Sequence, residues 1–361
     1  MELSEKQKEI VQTKESKVVV ISSAASGKTR VLTERVKYLL DNNIDPRKIV
    51  VITFTNAAAE ELSKRLGNPK KLFIGTIHSY ANYLLKSFCL ETSEILENEQ
   101  FDRLFPMIKK NPKCIKQVEH LLLDEAQDST DIQFEFLLDM IKPMNYMFVG
   151  DYRQSIYGWA GSDPDLLINL SKMDGVTKYY LNENYRNSSN ILDYAKGIIK
   201  LAGLDYIDYS IPRRESKGKV INMDYDASKI ARAIKNYPSE YKDWFILTRT
   251  NSQIDEIIRE LEKEGVPYDT FKRSQLDSQG LNEKLEQNTV KVLTIHTSKG
   301  LENKNVLVIG AKFFNREEKC ISYVAATRAR DLLVWTNIKK NRPKKKQTYI
   351  DYEEENWERW D

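Results

Sequence analysis

Two short stretches carry residue types suited to phosphate chemistry. Ser22–Thr29 reads SSAASGKT, close to the phosphate-loop pattern G-x-x-x-x-G-K-[ST]. In such a loop successive N–H groups converge on phosphate oxygens at a helix N-terminus. The lysine adds a point charge, and the threonine hydroxyl suits magnesium. Serine stands here at the first glycine position. Glycine is needed only where φ is positive or a Cβ would strike the ligand. Ser23, Ala24, Ala25, Ser26, Gly27, Lys28, Thr29 and Arg30 therefore form the candidate nucleotide-binding segment. The plainer alternative is a serine-rich turn before an ordinary helix. The second stretch, Leu121–Asp128, reads LLLDEAQD. A carboxylate at the end of an apolar strand, beside a phosphate loop, is placed to hold magnesium. Asp124 with Thr29 takes that role, and Glu125 can orient or deprotonate an attacking water. Read alone, the same acids would suit the first turn of a helix.

A third segment, VGDYRQSIYGW from Val149 to Trp159, is a polar loop with aromatics after an apolar run. Gln154 could meet a phosphate, and Tyr157 and Trp159 could meet bases, although Tyr and Trp in such a turn often fold into a core.

These residues need strands and helices to position them. Val18–Ile21 is a β-branched run, and Arg30–Leu40 has helical periodicity. Further strand-like runs occur at Ile49–Phe54, Leu72–Gly75, Leu121–Leu123, Tyr146–Val149, Lys178–Leu181, Val220–Met223, Trp244–Leu247, Val290–Ile295, Val306–Ile309 and Leu332–Trp335. Apolar strands alternating with amphipathic helices predict an α/β protein with mostly parallel sheets. Met173–Gly175 is the expected joint, giving domains at 1–174 and 175–338 and a charged tail at 339–361. Residues 88–117 and 269–289 are polar and weakly patterned, and read as small insertions.

Composition narrows the class. The 361 residues suggest two domains, with 30% charged and 41% hydrophobic residues and a net charge of +3. Any nucleic-acid binding must come from local patches, not a bulk field. No apolar run approaches membrane-spanning length, and MELSEKQKEI is no signal peptide, so a cytoplasmic location is expected. Cys89, Cys114 and Cys320 have no paired spacing and read as free thiols.

Taken in order, the segments resemble the UvrD/Rep/PcrA-type superfamily 1 DNA helicases, from about Leu3 to Trp335. The motifs are LSEKQKEIV, SSAASGKTRVL, VVITFTNAAAEEL, IGTIHSYANYLL, LLLDEAQDSTDIQ, VGDYRQSIYGWAGSD, LNENYRNSSNIL, VLTIHTSKGLENKNVLVIGA and YVAATRARDLLV. The resemblance implies two RecA-like lobes of the P-loop NTPase class, with ATP and Mg²⁺ in the cleft and single-stranded DNA across their tops. It implies that Gln7 reads adenine, Tyr185 stacks on it, and Gly300 and Glu302 approach the nucleotide. Lys28, Glu125, Gln154, Arg186 and Arg328 become the catalytic set, with Arg186 as an arginine finger and Arg328 directed to the γ-phosphate. DNA contacts fall to Phe54, Asn56, Thr76, His78, Tyr157, Trp159 and His296, while His120 reads as strand-edge packing. The family prefers glycine where Ser23 and Ala25 stand, lysine at Ala57 and arginine at Ala160. The segments at 88–117 and 269–289 stand where larger 1B and 2B insertions are usual. The implied activity is a monomeric ATP-dependent helicase moving 3′ to 5′ on single strands and junctions, with a possible protein partner at the tail. The alternative is an ATP-switched DNA-binding or regulatory subunit without processive unwinding.

Overall fold

The computed structural model describes residues 2–271 and 278–337. The expected tail, and residues 272–277 of the second insertion, lie outside the described residues. Two compact units divide at Met1–Glu183 and Asn184–Asp361.

The first unit has strands β1 (Lys17–Ser22), β2 (Ile49–Thr53), β3 (Phe73–Thr76), β4 (His120–Leu123), β5 (Asn145–Gly150) and β6 (Thr177–Leu181). Its helices are α1 (Glu5–Gln12), α2 (Lys28–Asp41), α3 (Asn56–Arg65), α4 (Ile77–Lys86), α5 (Ser93–Glu97), α6 (Leu104–Lys110), α7 (Asp131–Glu135) and α8 (Pro164–Leu170). The sheet order is β3-β2-β4-β5-β1-β6, with every pairing parallel. The continuous apolar runs arise because both faces are covered. Val19 and Ile21 enter one core with α4 and α6, while Val18 and Val20 enter the other with α1 and α2. In a parallel sheet the loops after β1, β2, β4 and β5 open at one edge, and most candidate residues of this unit lie on those loops.

The second unit has a two-stranded pair, β7 (Glu183–Asn184) and β8 (Ile211–Pro212), whose first residue is the last of the first unit. Its main strands are β9 (Lys219–Asp224), β10 (Trp244–Thr248), β11 (Tyr268–Asp269), β12 (Val290–Thr294), β13 (Asn303–Ile309) and β14 (Ala329–Asn337). They run in the order β11-β12-β10-β13-β14-β9, again all parallel. The helices are α9 (Ser189–Lys200), α10 (Ala227–Asn236), α11 (Asn251–Glu264), α12 (Ser278–Glu286) and α13 (Arg316–Ala326). Ile230, Ile234, Ile257 and Leu261 bring α10 and α11 into one core, and α9 and α13 pack on each other and on β14.

One expectation needs correction. The joint lies at 183/184, not 174/175, because β6 pairs with β1 across Val18–Ser22 and so completes the first sheet. The segment 88–117, read as a small insertion, contributes side chains to the core. Ile95, Leu104, Phe105, Ile108 and Cys114 are buried in the core against α4. Their spacing is irregular because two short helices and a separate helical turn at Pro112–Cys114, not one long helix, supply them.

Helix α1 is fastened by one cation. The buried Arg35 of α2 donates to Val11 O at 2.8 Å and Thr13 O at 2.7 Å, satisfying carbonyls at the end of α1. Arg35→Met keeps the packing but strands those acceptors, which costs about 1–3 kcal/mol. A lowered melting temperature with faster amide exchange in α1 is expected; unchanged melting and protection would contradict this role.

Candidate nucleotide and nucleic-acid site

Between β1 and α2 the chain must turn tightly while exposing N–H groups. Ser22 Oγ donates to Gly150 O (2.9 Å) and Ser23 N–H to Leu181 O (2.8 Å), anchoring the start of the turn to both neighbouring strands. Ala25 has φ +54° and Gly27 φ +82°. An alanine in the left-handed region carries strain of about 1–2 kcal/mol, so the position at which the family prefers glycine is one whose backbone favours it. Gly27 is constrained twice, because a Cβ there would lie 2.9 Å from Gln7 Nε2. Gln7 is buried and braces the loop: Nε2 donates to Ser26 O (3.1 Å), and Oε1 accepts from Ser4 N–H (3.1 Å). Ser26 Oγ is buried with no hydrogen-bond partner. A buried orphan hydroxyl is uncommon, and in a loop of N–H groups at a helix start it suits a phosphate oxygen.

The acid pair adjoins this loop. Thr29 Oγ1 donates to Asp124 Oδ2 (3.0 Å), and Lys28 Nζ lies 3.8 Å from Glu125 Oε1. Asp124 is buried, and burial followed by the nearby Glu125 charge pushes its carboxyl up to about 6, against the pull of Lys28 and Thr29. Two carboxyls facing one ammonium leave excess negative charge in a desolvated place, which suits a divalent cation held by Thr29 and Asp124. Glu125 sits at φ +52°, and its N–H donates to Asp124 Oδ1 (2.9 Å). Strain at an acid beside a phosphate loop is typical of functional positions.

Behind the acids lies a buried network that sequence reasoning missed. Gln127 Nε2 donates to Glu125 Oε2 (2.6 Å), and Gln127 Oε1 accepts from Asp151 N–H (2.9 Å). Gln154 Nε2 donates to Asp151 Oδ2 (2.7 Å). Arg153 Nε donates to Asp151 Oδ1 (2.7 Å), and its Nη2 donates to Ser22 O (2.6 Å). The only signal was that these polar residues directly follow apolar strands.

The predicted DNA contacts of this unit separate into two groups. Phe54, after β2, stacks on Tyr157, after β5, with centroids 5.0 Å apart and planes at 22°. Trp159 meets Tyr157 edge-on at 6.4 Å and is 75% exposed; Phe54 is 43% exposed. Asn56 is exposed at the start of α3. Thr76 instead caps α4, accepting from Ser79 N–H (3.2 Å), and His78 Nε2 pairs with Asp102 Oδ1 (2.9 Å) between Phe101 and Phe105. The inserted segment thus engages His78. His120 opens β4 against Asn145, as packing predicts.

In the second unit the candidates fall at opposite sheet edges. Glu302 and Arg328 immediately precede the paired strands β13 and β14, at the amino edge. Arg186 Nε donates to Glu302, and Arg186 Nη1 donates to Thr327 O (3.1 Å). Burial pushes the Glu302 carboxyl up, but Arg186, with Arg330 and Arg328 nearby, outweighs it and holds the carboxyl below its usual range. Arg214 braces the Arg186 turn, donating to Arg186 O (3.0 Å) and Arg330 O (2.8 Å). Arg328 is fully buried and donates to Val324 O (2.9 Å) and Leu301 O (3.1 Å), shaping the turn that presents Glu302. Half-buried Tyr185 lies next to Arg186. His296 follows β12 at the carboxyl edge, and the connection from it to Glu302, through Gly300 at φ +83°, crosses the length of the sheet.

A phosphate loop and acid pair at the carboxyl edge of a parallel sheet, in a chain of two such α/β units, define a RecA-like protein of the phosphate-loop nucleotide-binding class. Residues 3–112 and 100–174 match the UvrD/REP helicase N-terminal domain, and residues 179–276 and 269–340 match the UvrD-like helicase C-terminal domain. The chain belongs to the UvrD/Rep helicase family. It is similar to a probable DNA helicase II homolog of Mycoplasma capricolum subsp. capricolum, 25% identical over 70% of this chain and 49% of that protein. It is also similar to the ATP-dependent DNA helicase PcrA of Leuconostoc citreum, 26% identical over 74% of this chain and 49% of that protein. A probable DNA helicase of Mycoplasma pneumoniae is 26% identical over 93% of this chain and 83% of its own length. The chain thus spans about half the length of the first two. Among the described residues no helix is long and apolar enough to cross a membrane.

The buried acid makes a pH prediction. Asp124 holds its proton more tightly when folded, at about 6, than at the ordinary 3.8. Its charge therefore opposes folding in full above pH 6, and the penalty fades as pH falls from 6 towards 3.8. In nucleotide-free, magnesium-free buffer, lowering pH from 7.5 to 5 should favour the wild type over Asp124→Asn by about 1–3 kcal/mol of relative stability. Melting curves at both pH values test this, and identical pH dependence in the two proteins would refute the buried-charge account.

Proposed function

We propose that this chain is an ATP-driven motor that moves 3′ to 5′ along single-stranded DNA and acts at single/double-strand junctions. The observation that best supports this reading is the link within one unit between a phosphate-type loop with its acid pair and an exposed aromatic array. The loop after β5 carries Gln154 at the acid cluster and, within five residues, Tyr157 and Trp159 at the surface.

ATP is the substrate in this reading. Lys28 and the N–H groups of Ser23–Arg30 bind its phosphate oxygens, and Gln7 and Tyr185 take the purine. Thr29 and Asp124 would hold a magnesium ion, which when bound offsets phosphate charge. Glu125 accepts the proton of the attacking water. Gln154 responds to the γ-phosphate, and Arg186 supplies positive charge as charge develops on the transferring group. To do so Arg186 must leave Glu302, whose carboxylate then remains paired with Arg330, 3.8 Å away. Arg328 keeps the Gly300–Glu302 turn in place. Phe54, Tyr157 and Trp159 offer stacking faces to bases, with Asn56 and His296 beside the strand.

ATP turnover measured with and without single-stranded DNA, and with RNA, tests the assignment. Strong stimulation by DNA alone is expected; a rate indifferent to DNA would overturn it. Trp159→Ala should lower stimulated turnover more than basal turnover, since stacking contributes about 1–3 kcal/mol per base. Equal loss of both rates would remove Trp159 from the coupling role.

Glu125 and Arg186 separate binding from chemistry. Glu125→Gln should lower single-turnover hydrolysis by about 10²–10⁴ with ATP affinity nearly unchanged. Arg186→Ala should slow it by roughly 10³ and also weaken ATP binding. Near-normal hydrolysis by Glu125→Gln would make the acid-pair assignment untenable.

A further inference from the structure

The acids of the proposed ATP site are not held by their own strand alone. Gln127 is fully buried three residues after Asp124. Its Oε1 accepts from Asp151 N–H, which can only donate, so the amide orientation is settled. Nε2 must then face Glu125, to whose Oε2 it donates at 2.6 Å, with a longer approach to Asp128 Oδ2 at 3.4 Å. Gln127 O in turn accepts from Ser155 Oγ at 3.2 Å. Both ends of this residue are therefore stitched to the loop after β5. A second observation is independent of hydrogen-bond assignment. A Cβ at Gly150 would lie 2.6 Å from Gln127 Oε1 and 2.7 Å from Leu167 Cδ2. The last residue of β5 lacks a side chain where the glutamine amide presses against the strand.

We infer that Gln127 is a positioning residue that orients the Glu125 carboxylate and ties it to the exit loop of β5, so that movement of the loop bearing Gln154, Tyr157 and Trp159 alters the alignment of the base. The bridge runs Glu125, Gln127, Asp151, Gln154, each step a hydrogen bond of 2.6–2.9 Å. Gln127 itself is neutral, so it links Glu125 to the Asp151 N–H without adding charge beside the acid pair. This inference rests on the reading of Glu125 as the base of ATP hydrolysis.

The test uses Gln127→Met, which keeps the shape but neither accepts from Asp151 N–H nor donates to Glu125. Hydrogen exchange of the full chain without nucleotide should quicken at the Asp151 amide. Binding of a fluorescent ATP analogue should stay within about threefold of wild type, while DNA-stimulated kcat falls about tenfold or more and the stimulation ratio shrinks. In a Glu125→Gln background the same substitution should change residual hydrolysis less than about twofold, because residues acting through one another are non-additive. Unchanged kcat and stimulation, or an equal loss in both backgrounds, would overturn the inference. If Gln127→Met does not fold, Gly150→Ala decides: its Cβ would meet Gln127 Oε1 at 2.6 Å and displace the amide from Asp151 N–H, and wild-type turnover in it would equally overturn the inference. Absent turnover in the wild type, or retained turnover in Glu125→Gln, would instead fault the ATPase reading, and the Asp151 exchange result would still judge the bridge.

Discussion

The first unit depends on one buried ion pair at the carboxyl ends of its central strands. Asp151 is wholly buried, and Arg153 pairs with it while donating to the carbonyl of Ser22. That single guanidinium joins the exit of β5 to the exit of β1, where the phosphate loop begins. Removing one partner of such a pair typically costs 3–5 kcal/mol, because the other charge is left uncompensated. The same carboxylate receives Gln154, and its own N–H holds Gln127. The positions of the phosphate loop, the acids and the loop after β5 therefore follow from one polar cluster, not from three separate turns.

That cluster is built against local stability. Ala25 and Glu125 both occupy left-handed backbone without being glycine, and Asp124 bears a carboxyl whose charge is poorly compensated. The surrounding apolar strands, covered on both faces, supply the excess stability that such positions require. An account based on packing alone would replace all three residues.

The second unit works by a different device. Its arginine is held by Glu302 and by the Thr327 carbonyl, and its turn is braced by Arg214. One short connection carries His296 at one sheet edge and Gly300 and Glu302 at the other. The two ends of this segment are anchored to different strands, β12 and β13, of one sheet.

The sequence by itself determined the strands that matter. Val18–Ile21, Ile49–Phe54 and Leu121–Leu123 are apolar on both faces, a pattern that a doubly covered parallel strand requires, and the eleven predicted runs all correspond to strands. The chemistry of SGKT and DEAQD was legible because it depends on neighbours in the chain. What only the tertiary structure decided concerns residues far apart in sequence. The two-residue strands β7, β8 and β11 carry no periodicity, and the joint at 183/184 follows from β6 pairing with β1, across more than 150 residues. Gln7 resembled a reader of adenine, and the fold also shows it bracing Ser26; His78 resembled a DNA contact, and the fold pairs it with Asp102. Gln127 was invisible as a bridge because its acceptor role needs the Asp151 N–H, which only strand register brings within 2.9 Å. Local pattern fixes which face of an element is apolar; hydrogen bonds between loops depend on how whole strands are ordered, and that order is set by the packing of the sheet.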